Sequence, residues 1–123
     1  YKGLLDNMDA EKEARLEAAG IDLKSALERF MGNEAMLEKY LGRFLNEKSY
    51  MELVQAVADD DSEAAGRAVH TLKSVCGSLG FGEMQTLVLD QEKAIRGGDW
   101  EKAKQMMPEI AASYDKICAA LSA

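Results

Sequence analysis

The sequence has few of the residues that build reactive centres or covalent cross-links. It contains one histidine, two cysteines and one proline among 123 residues, and only 7% of the residues are aromatic. One histidine and two cysteines are too few for a zinc site, and a di-metal helical bundle needs Glu-x-x-His motifs that this chain lacks. We therefore expect neither a metal nor a cofactor in this chain.

Long apolar segments and excess positive charge are also missing. No apolar run approaches the roughly 20 residues that cross a bilayer, and no charged start followed by an apolar stretch suggests a signal peptide. Against 22 Asp and Glu stand 15 Lys and Arg, for a net charge of −7. Nucleic-acid binders need basic patches that neutralise phosphates. The sequence therefore predicts a soluble, cytoplasmic protein with no membrane or nucleic-acid partner.

The two cysteines do not form a recognisable pair. Cys76 and Cys118 are far apart in the sequence, and each lies among apolar residues. Because a reducing compartment disfavours disulfides, this placement predicts two small core residues rather than a cross-link.

The residues that are abundant favour helices. The chain is rich in Ala, Leu, Met, Glu and Lys, shows no strand-like alternation, and has a length that suits one domain, residues 1–123. Glycines and polar caps divide it into helical segments. The predicted helices run from Asp9 to Ala19 before Gly20, from Asp22 to Gly32, from the cap Asn33 to a break near Asn46, from the Ser49–Glu52 capping box and Tyr50 onward, from the polar turn Asp59–Ser62 to Gly80, from Glu83 to Arg96, and from the cap Asp99 to Leu121 with a kink at Pro108.

These segments predict an all-α fold. The four longer amphipathic helices, joined by turns of a few residues, suit an up-down antiparallel four-helix bundle. The two short N-terminal helices would then lie against one end of the bundle.

The single histidine lies on the polar side of its predicted helix. The apolar stripe of this helix consists of Ala65, Ala68, Val69, Leu72, Val75, Cys76 and Leu79. His70 falls opposite, on a face that also carries Gly66, Arg67, Lys73, Ser74 and Gly77 at helical spacing. An imidazole with a cation one turn away on each side is suited to meet an anion and a bulky partner. The spacing alone equally allows a solvated histidine with no function.

The motif around this histidine carries a family resemblance. His70-Thr71-Leu72-Lys73 is followed by Gly77, Leu79 and Gly80, and then by Met84, Leu87 and Glu92. This pattern resembles the signature of the histidine-containing phosphotransfer (HPt) domains of bacterial multistep phosphorelays. The resemblance runs from about Gly20 into the last helix, whereas residues 1–19 match less well. Ser74, Phe81 and Gln91 stand where the family usually has glycine, alanine and leucine, and we expect the first two to affect how a partner approaches.

The resemblance implies a fold and a function. It implies the same helical bundle, with His70 accepting a phosphoryl group from a receiver-domain aspartate and passing it to another receiver. Lys73 occupies the lysine position of the family, and Gly77 the position of the small residue under the docked partner. The magnesium that the transfer requires would belong to the receiver.

Further roles are assigned from the residues themselves. Lys73, with Arg67 as a helper, would offset charge on the phosphoryl oxygens. Gly66 and Gly77 would keep the docking surface flat around Ser74. Glu92, or its neighbour Gln91, would hold the other ring nitrogen of the histidine and fix its tautomer.

Two functions from different classes stay open. The first is a phosphorylated carrier, and the second is a helix-bundle module that binds receivers or other signalling proteins without being phosphorylated. The intact His70 and Lys73 favour the carrier, because a pure binder needs neither. We expect no kinase or ATPase activity, since no phosphate-cradling loop follows a strand, and we expect a monomer.

Overall fold

Helices joined by short turns make up the part of the chain that the structure describes. The computed structural model describes residues 10–123. Its α-helices are α1 (Ala10–Ala18), α2 (Leu23–Arg29), α3 (Glu34–Arg43), α4 (Lys48–Ala58), α5 (Ser62–Ser78), α6 (Gly82–Arg96), α7 (Trp100–Gln105) and α8 (Met107–Ser122), and a 3-10 turn spans Phe44–Asn46. Residues 10–123 contain no strand, and their one isolated bridge pairs Ile21 with Phe81. The predicted all-α class is confirmed.

Acidic and amide side chains begin most of these helices where the sequence predicted. Asp22, Asn33 and Asp99 each accept a hydrogen bond from the backbone N–H three residues later, at 3.0, 3.0 and 3.2 Å. In the predicted polar turn, Asp61 does the same for α5 at 3.0 Å. Such caps satisfy N–H groups that have no partner within the helix. The predicted start of the first helix, Asp9, lies outside the described residues.

The start of α4 differs from the prediction. Ser49 does not form the expected capping box, because Glu47 is the cap and the helix begins at Lys48. The Glu47 carboxylate accepts from the Ser49 N–H at 3.1 Å and from the Ser49 hydroxyl at 2.7 Å. The Glu47 carboxylate, two residues upstream, thus accepts hydrogen bonds from both the backbone N–H and the hydroxyl of Ser49.

The predicted last helix is two helices. The backbone breaks at Met106, between α7 and α8, and Pro108 lies in the first turn of α8. Proline lacks the N–H that would continue α7 and has a backbone angle suited to a helix start. The interruption lies two residues before the predicted kink at Pro108 and is one residue long, since Met106 alone separates the two helices.

The core gathers around α5. This helix packs against α4 on one side and α6 on the other, and α6 also contacts α7 and α8. The predicted apolar stripe faces inward: its residues are buried except Val75, which is partly buried.

Both cysteines are free. Cys76 is fully buried, which raises the pKa of its thiol to about 12, whereas Cys118 is only half-buried. No helix within residues 10–123 combines the length and apolarity needed to cross a lipid bilayer.

Both ends of α5 are tied to other elements. Before it, Asp60 adopts a left-handed conformation (φ 57°) and accepts hydrogen bonds from Trp100 Nε1 at 2.7 Å and Lys104 Nζ at 3.0 Å. After it, the Gly80 carbonyl accepts from the Asp22 N–H at 2.8 Å. Gly80 has φ 79°, and a Cβ there would collide with the Asp22 carbonyl oxygen, so glycine is required.

The turn between α3 and α4 is held by a tyrosine from α8. The Tyr114 hydroxyl donates to the carbonyls of Phe44 and Leu45, at 2.9 and 3.1 Å. Its ring stacks on Tyr50, with centroids 3.7 Å apart. The single O–H of Tyr114 is therefore shared between two carbonyls of the 3-10 turn.

Replacing Tyr114 by Phe should destabilise the fold by roughly 1–2 kcal/mol, because it removes these hydrogen bonds and keeps the ring. The free energy of unfolding, measured by denaturant titration, checks this. Tyr40→Phe is the matched control: Tyr40 is partly exposed, and its hydroxyl has no hydrogen bond within residues 10–123, so a change below about 0.5 kcal/mol is expected. Equal stability of both variants would contradict the role assigned to Tyr114.

Candidate functional site

His70 projects from the outer side of α5. Its side chain is 57% exposed, although the preceding Val69 is completely buried. This contrast follows from the 100° turn per residue of a helix, which separates neighbouring side chains. The imidazole is thus open to a macromolecular partner.

A buried carboxylate lies directly behind the ring. Glu92, on α6, has a side chain only 5% exposed, and its Oε2 lies 2.8 Å from His70 Nδ1. Its Oε1 accepts from Lys73 Nζ at 2.7 Å. Lys73 lies one turn after His70, so the close packing of α5 on α6 brings both to one acid.

Positive neighbours keep this acid ionised. Burial favours the neutral acid, but hydrogen bonds from Lys73 and His70, together with the charges of Lys73 and Arg96, outweigh it and hold the pKa of Glu92 below its ordinary value. An ionised carboxylate only accepts hydrogen bonds, so the hydrogen between it and the ring belongs to Nδ1. When the imidazole is neutral, Nε2 therefore carries the free lone pair. Within the described residues, Nε2 has no hydrogen-bond partner.

Gln91 does not take part in this cluster. Its side chain is completely buried on another side of α6, where Nε2 donates to the Ala103 carbonyl at 3.0 Å and to Met107 Sδ at 3.2 Å. The alternative that Gln91 holds the ring is therefore wrong. The amide instead serves the break between α7 and α8, which explains a polar residue where the resemblance led us to expect leucine.

Arg67 and Gly66 are positioned differently from the cluster. Arg67 is exposed one turn before His70, and its side chain makes no ion pair or hydrogen bond with residues 10–123. Gly66 is partly buried, and a Cβ there would meet Ile95 Cγ2 at 3.5 Å. Gly66 thus lies in the contact between α5 and α6 as well as beside the histidine.

The helix surface that follows His70 is more covered by side chains than its glycines led us to expect. The Gln85 side chain covers Gly77, since a Cβ at Gly77 would lie only 2.5 Å from Gln85 Nε2. Ser74 is exposed, with its hydroxyl 3.4 Å from the His70 carbonyl. Phe81 cannot affect the approach of a partner as expected, because it is buried with its ring 4.6 Å from that of Phe44.

An open groove runs beside α5, and two of its lining residues, Thr71 and Ser74, lie next to His70 along the helix. Its volume is about 450 Å³, and it is lined by Phe30, Tyr40, Arg43, Glu47, Thr71, Ser74, Val75, Ser78 and Leu79. Tyr40 stacks on Phe30 with centroids 5.7 Å apart, and the Arg43 guanidinium lies 4.9 Å from the Tyr40 ring centroid. These contacts form a largely apolar wall with a cation at its rim. This groove could not be predicted from the sequence, because its lining comes from four separate segments.

A second cation of the cluster, Arg96, was also not predicted. Arg96 Nη2 lies 3.2 Å from Glu92 Oε2, the same oxygen that contacts the ring. The i, i+4 spacing of Glu92 and Arg96 on one helix was the available signal. This spacing is common in helices. It could not indicate a role for Arg96 before the contact between Glu92 and His70 was known.

Side chains that commonly bind metals are not clustered in residues 10–123. No group of three or more His, Cys, Asp or Glu side chains in this range is arranged to hold a metal ion. The glycine-rich segment 77–82 connects α5 to α6 and follows no strand, unlike a nucleotide-binding loop.

Comparison with known proteins identifies the family. The family model described as Hpt domain matches residues 37–120, which is more than half of the chain and includes His70, Lys73 and Glu92. Comparisons with curated proteins and with solved structures gave no significant match. The match covers α5 and α6, the helices that carry the exposed histidine and the acid behind it. The chain belongs to the Hpt domain family.

Proposed function

We propose that His70 is the phosphoacceptor of this Hpt domain. Histidine phosphotransfer in phosphorelay signalling follows from the family. The proposal adds the residue, the donor and the acceptor: His70 takes a phosphoryl group from the aspartyl phosphate of one receiver domain and gives it to the aspartate of another. The observation that carries it is the exposed ring whose Nδ1 is held by Glu92 while Nε2 is free.

The transfer is a direct exchange between two side chains. The Nε2 lone pair attacks phosphorus, the N–P bond forms, and the bond from phosphorus to the aspartyl oxygen breaks, leaving a carboxylate on the receiver. The ring keeps its Nδ1 hydrogen and gains a positive charge, which the Glu92 carboxylate balances 2.8 Å away. Donation to the next receiver is the same step reversed, and it needs no further reactant.

Lys73 supplies positive charge for the phosphoryl oxygens. One N–H of its ammonium group is directed to Glu92, and the side chain remains 25% exposed. Two further N–H groups are then free to meet an anion on the adjacent ring. Arg67, one turn before His70, adds positive potential without a fixed contact. Magnesium would be held by the receiver, and this chain would hold no cofactor.

The receiver is proposed to dock over His70 and the adjoining groove. The groove reaches the histidine through Thr71 and Ser74, and its wall is largely apolar, as the centre of a protein interface commonly is. Gly66 and Gly77 lie along the same helix without side chains of their own. Because one chain supplies all members of the cluster, we propose that a monomer suffices.

The proposed docking surface lies on packed helices. We propose that α4, α5, α6 and the α7–α8 pair are the four members of an up-down antiparallel bundle. Short turns join them in sequence, and α5 packs on both of its chain neighbours. Residues 1–123 would form this single domain.

A second function, receiver binding without phosphorylation, uses the same surface. It would leave the carboxylate behind the ring without a purpose, and burial of an ionised acid is costly. The contact between Glu92 and His70 therefore favours the carrier.

His70→Gln should abolish labelling. Wild-type protein is incubated with labelled, phosphorylated receiver domains from the source organism, and label on the Hpt domain is followed with time. The expected label is acid-labile and base-stable, as for a phosphoramidate. If His70→Gln still takes up label, the acceptor is another residue; if wild type binds receivers but takes up none, the binding function is correct.

Glu92→Gln should lower transfer by about tenfold or more, which corresponds to a loss of about 1.4 kcal/mol in the stabilisation of ring charge. Nitrogen NMR of the imidazole checks the cause, since the ring should lose its preference for hydrogen on Nδ1. An exposed acid on α4, Glu52, provides the control through Glu52→Gln. Unchanged tautomer and rate would remove the role of Glu92.

The same acid should make stability depend on pH. Because folding lowers the pKa of Glu92, its ionisation adds stability above its unfolded value of about 4.3, and this is lost as the pH falls through the lower folded value. The difference in unfolding free energy between wild type and Glu92→Gln should therefore shift against wild type on going from pH 7 to pH 3. A difference that stays constant over this range would contradict the lowered pKa.

Filling the groove should weaken docking. Ser78 is exposed and lines the groove. Ser78→Trp should lower receiver affinity by about tenfold or more, a loss of at least about 1.4 kcal/mol, with helical content unchanged. Ala119→Trp, on the exposed side of α8, is the matched control. Equal affinity of the two variants would place the docking surface elsewhere.

A further inference from the structure

Glu92 is contacted by three positive or hydrogen-donating groups. Lys73 Nζ lies 2.7 Å from Oε1, whereas Oε2 is shared by His70 Nδ1 at 2.8 Å and Arg96 Nη2 at 3.2 Å. Two of these neighbours have roles in the proposed transfer. Arg96 has none so far.

The transfer places two demands on Lys73. Before phosphorylation, its ammonium group is bound to the buried Glu92 carboxylate. After phosphorylation, a group carrying nearly two negative charges lies on the adjacent ring and attracts the same ammonium. A lysine that turns toward the phosphoryl group weakens its contact with Glu92, and a buried carboxylate with too little compensation is unfavourable. The positively charged ring compensates part of this loss, and a further cation held on the acid would compensate more of it.

We infer that Arg96 is a positioning residue that frees Lys73 for the phosphoryl group. Its guanidinium is held at Oε2, on the oxygen opposite the lysine, and its side chain is 68% exposed. It can therefore remain on Glu92 while the Lys73 contact loosens. Arg96 itself meets neither the ring nor the phosphoryl group, and no atom passes through it. This inference rests on the proposed function.

The helix positions suit this division of labour. Arg96 lies one turn after Glu92 on α6, and Lys73 lies one turn after His70 on α5, so the two cations reach the acid from different helices. An exposed i, i+4 ion pair by itself contributes little to stability. The effect expected of Arg96 is therefore on the rate of transfer and not on folding.

The test compares three single variants in transfer from a labelled receiver. Arg96→Gln should slow phosphoryl acceptance roughly two- to fivefold, the range available to a partly exposed ion pair. Receiver affinity and helical content should not change. Arg96→Lys should restore most of the rate, because it keeps the charge. Lys93→Gln is the matched control: it removes one positive charge from the same helix, and Lys93 makes no ion pair with residues 10–123, so the rate should match wild type.

A double-mutant cycle with Lys73→Ala identifies the route of the effect. If Arg96 acts through the lysine, then Arg96→Gln has no further effect once Lys73 is replaced. The same slowing in both backgrounds, a loss of affinity in place of rate, or a rate for Arg96→Gln equal to that of Lys93→Gln would each overturn the inference. Failure of wild type itself to accept label would instead overturn the proposed function.

Discussion

The arrangement of the site depends on one buried carboxylate between two helices. Glu92 is ionised although almost no solvent reaches it, and the hydrogen bonds from His70 and Lys73 make that state favourable. Removing either partner would leave the negative charge of Glu92 with less compensation, and the protein interior disfavours an uncompensated charge. The orientation of the imidazole, the position of the lysine and the spacing of α5 and α6 are therefore coupled. The acid contacts the ring through Nδ1, and more than half of the His70 side chain stays exposed.

Features set by neighbouring residues in the chain could be predicted from the sequence. The caps at Asp22, Asn33 and Asp99 were correct because a side chain three residues from its backbone partner needs no tertiary information. The outward position of His70 followed from the period of the helix, which separates it from the apolar stripe. The capping box at Ser49 failed for an equally local reason, since Glu47 competes for the same serine.

Features that depend on contacts between helices could not be predicted in the same way. Glu92 and Gln91 were equal candidates in the sequence, and only the packing of α6 turns one toward the ring and the other toward the break before α8. Gly77 was expected to be an uncovered surface position, because the residue that covers it, Gln85, belongs to the next helix. Phe81 was expected to lie at the surface, but it is buried in an aromatic contact with Phe44. In each case the deciding neighbour is on another element.

The anchoring of α5 at both ends has a consequence for the kinetics of association. Asp60 ties the start of the helix to α7, and the Gly80 carbonyl ties its end to the segment before α2. A surface that is already ordered loses little conformational entropy when a partner arrives, so its encounters need no slow rearrangement. Association with such a surface can therefore be fast. Histidine phosphotransfer takes place only while two proteins are in contact, so fast association leaves the chemical step as the slower part of the exchange.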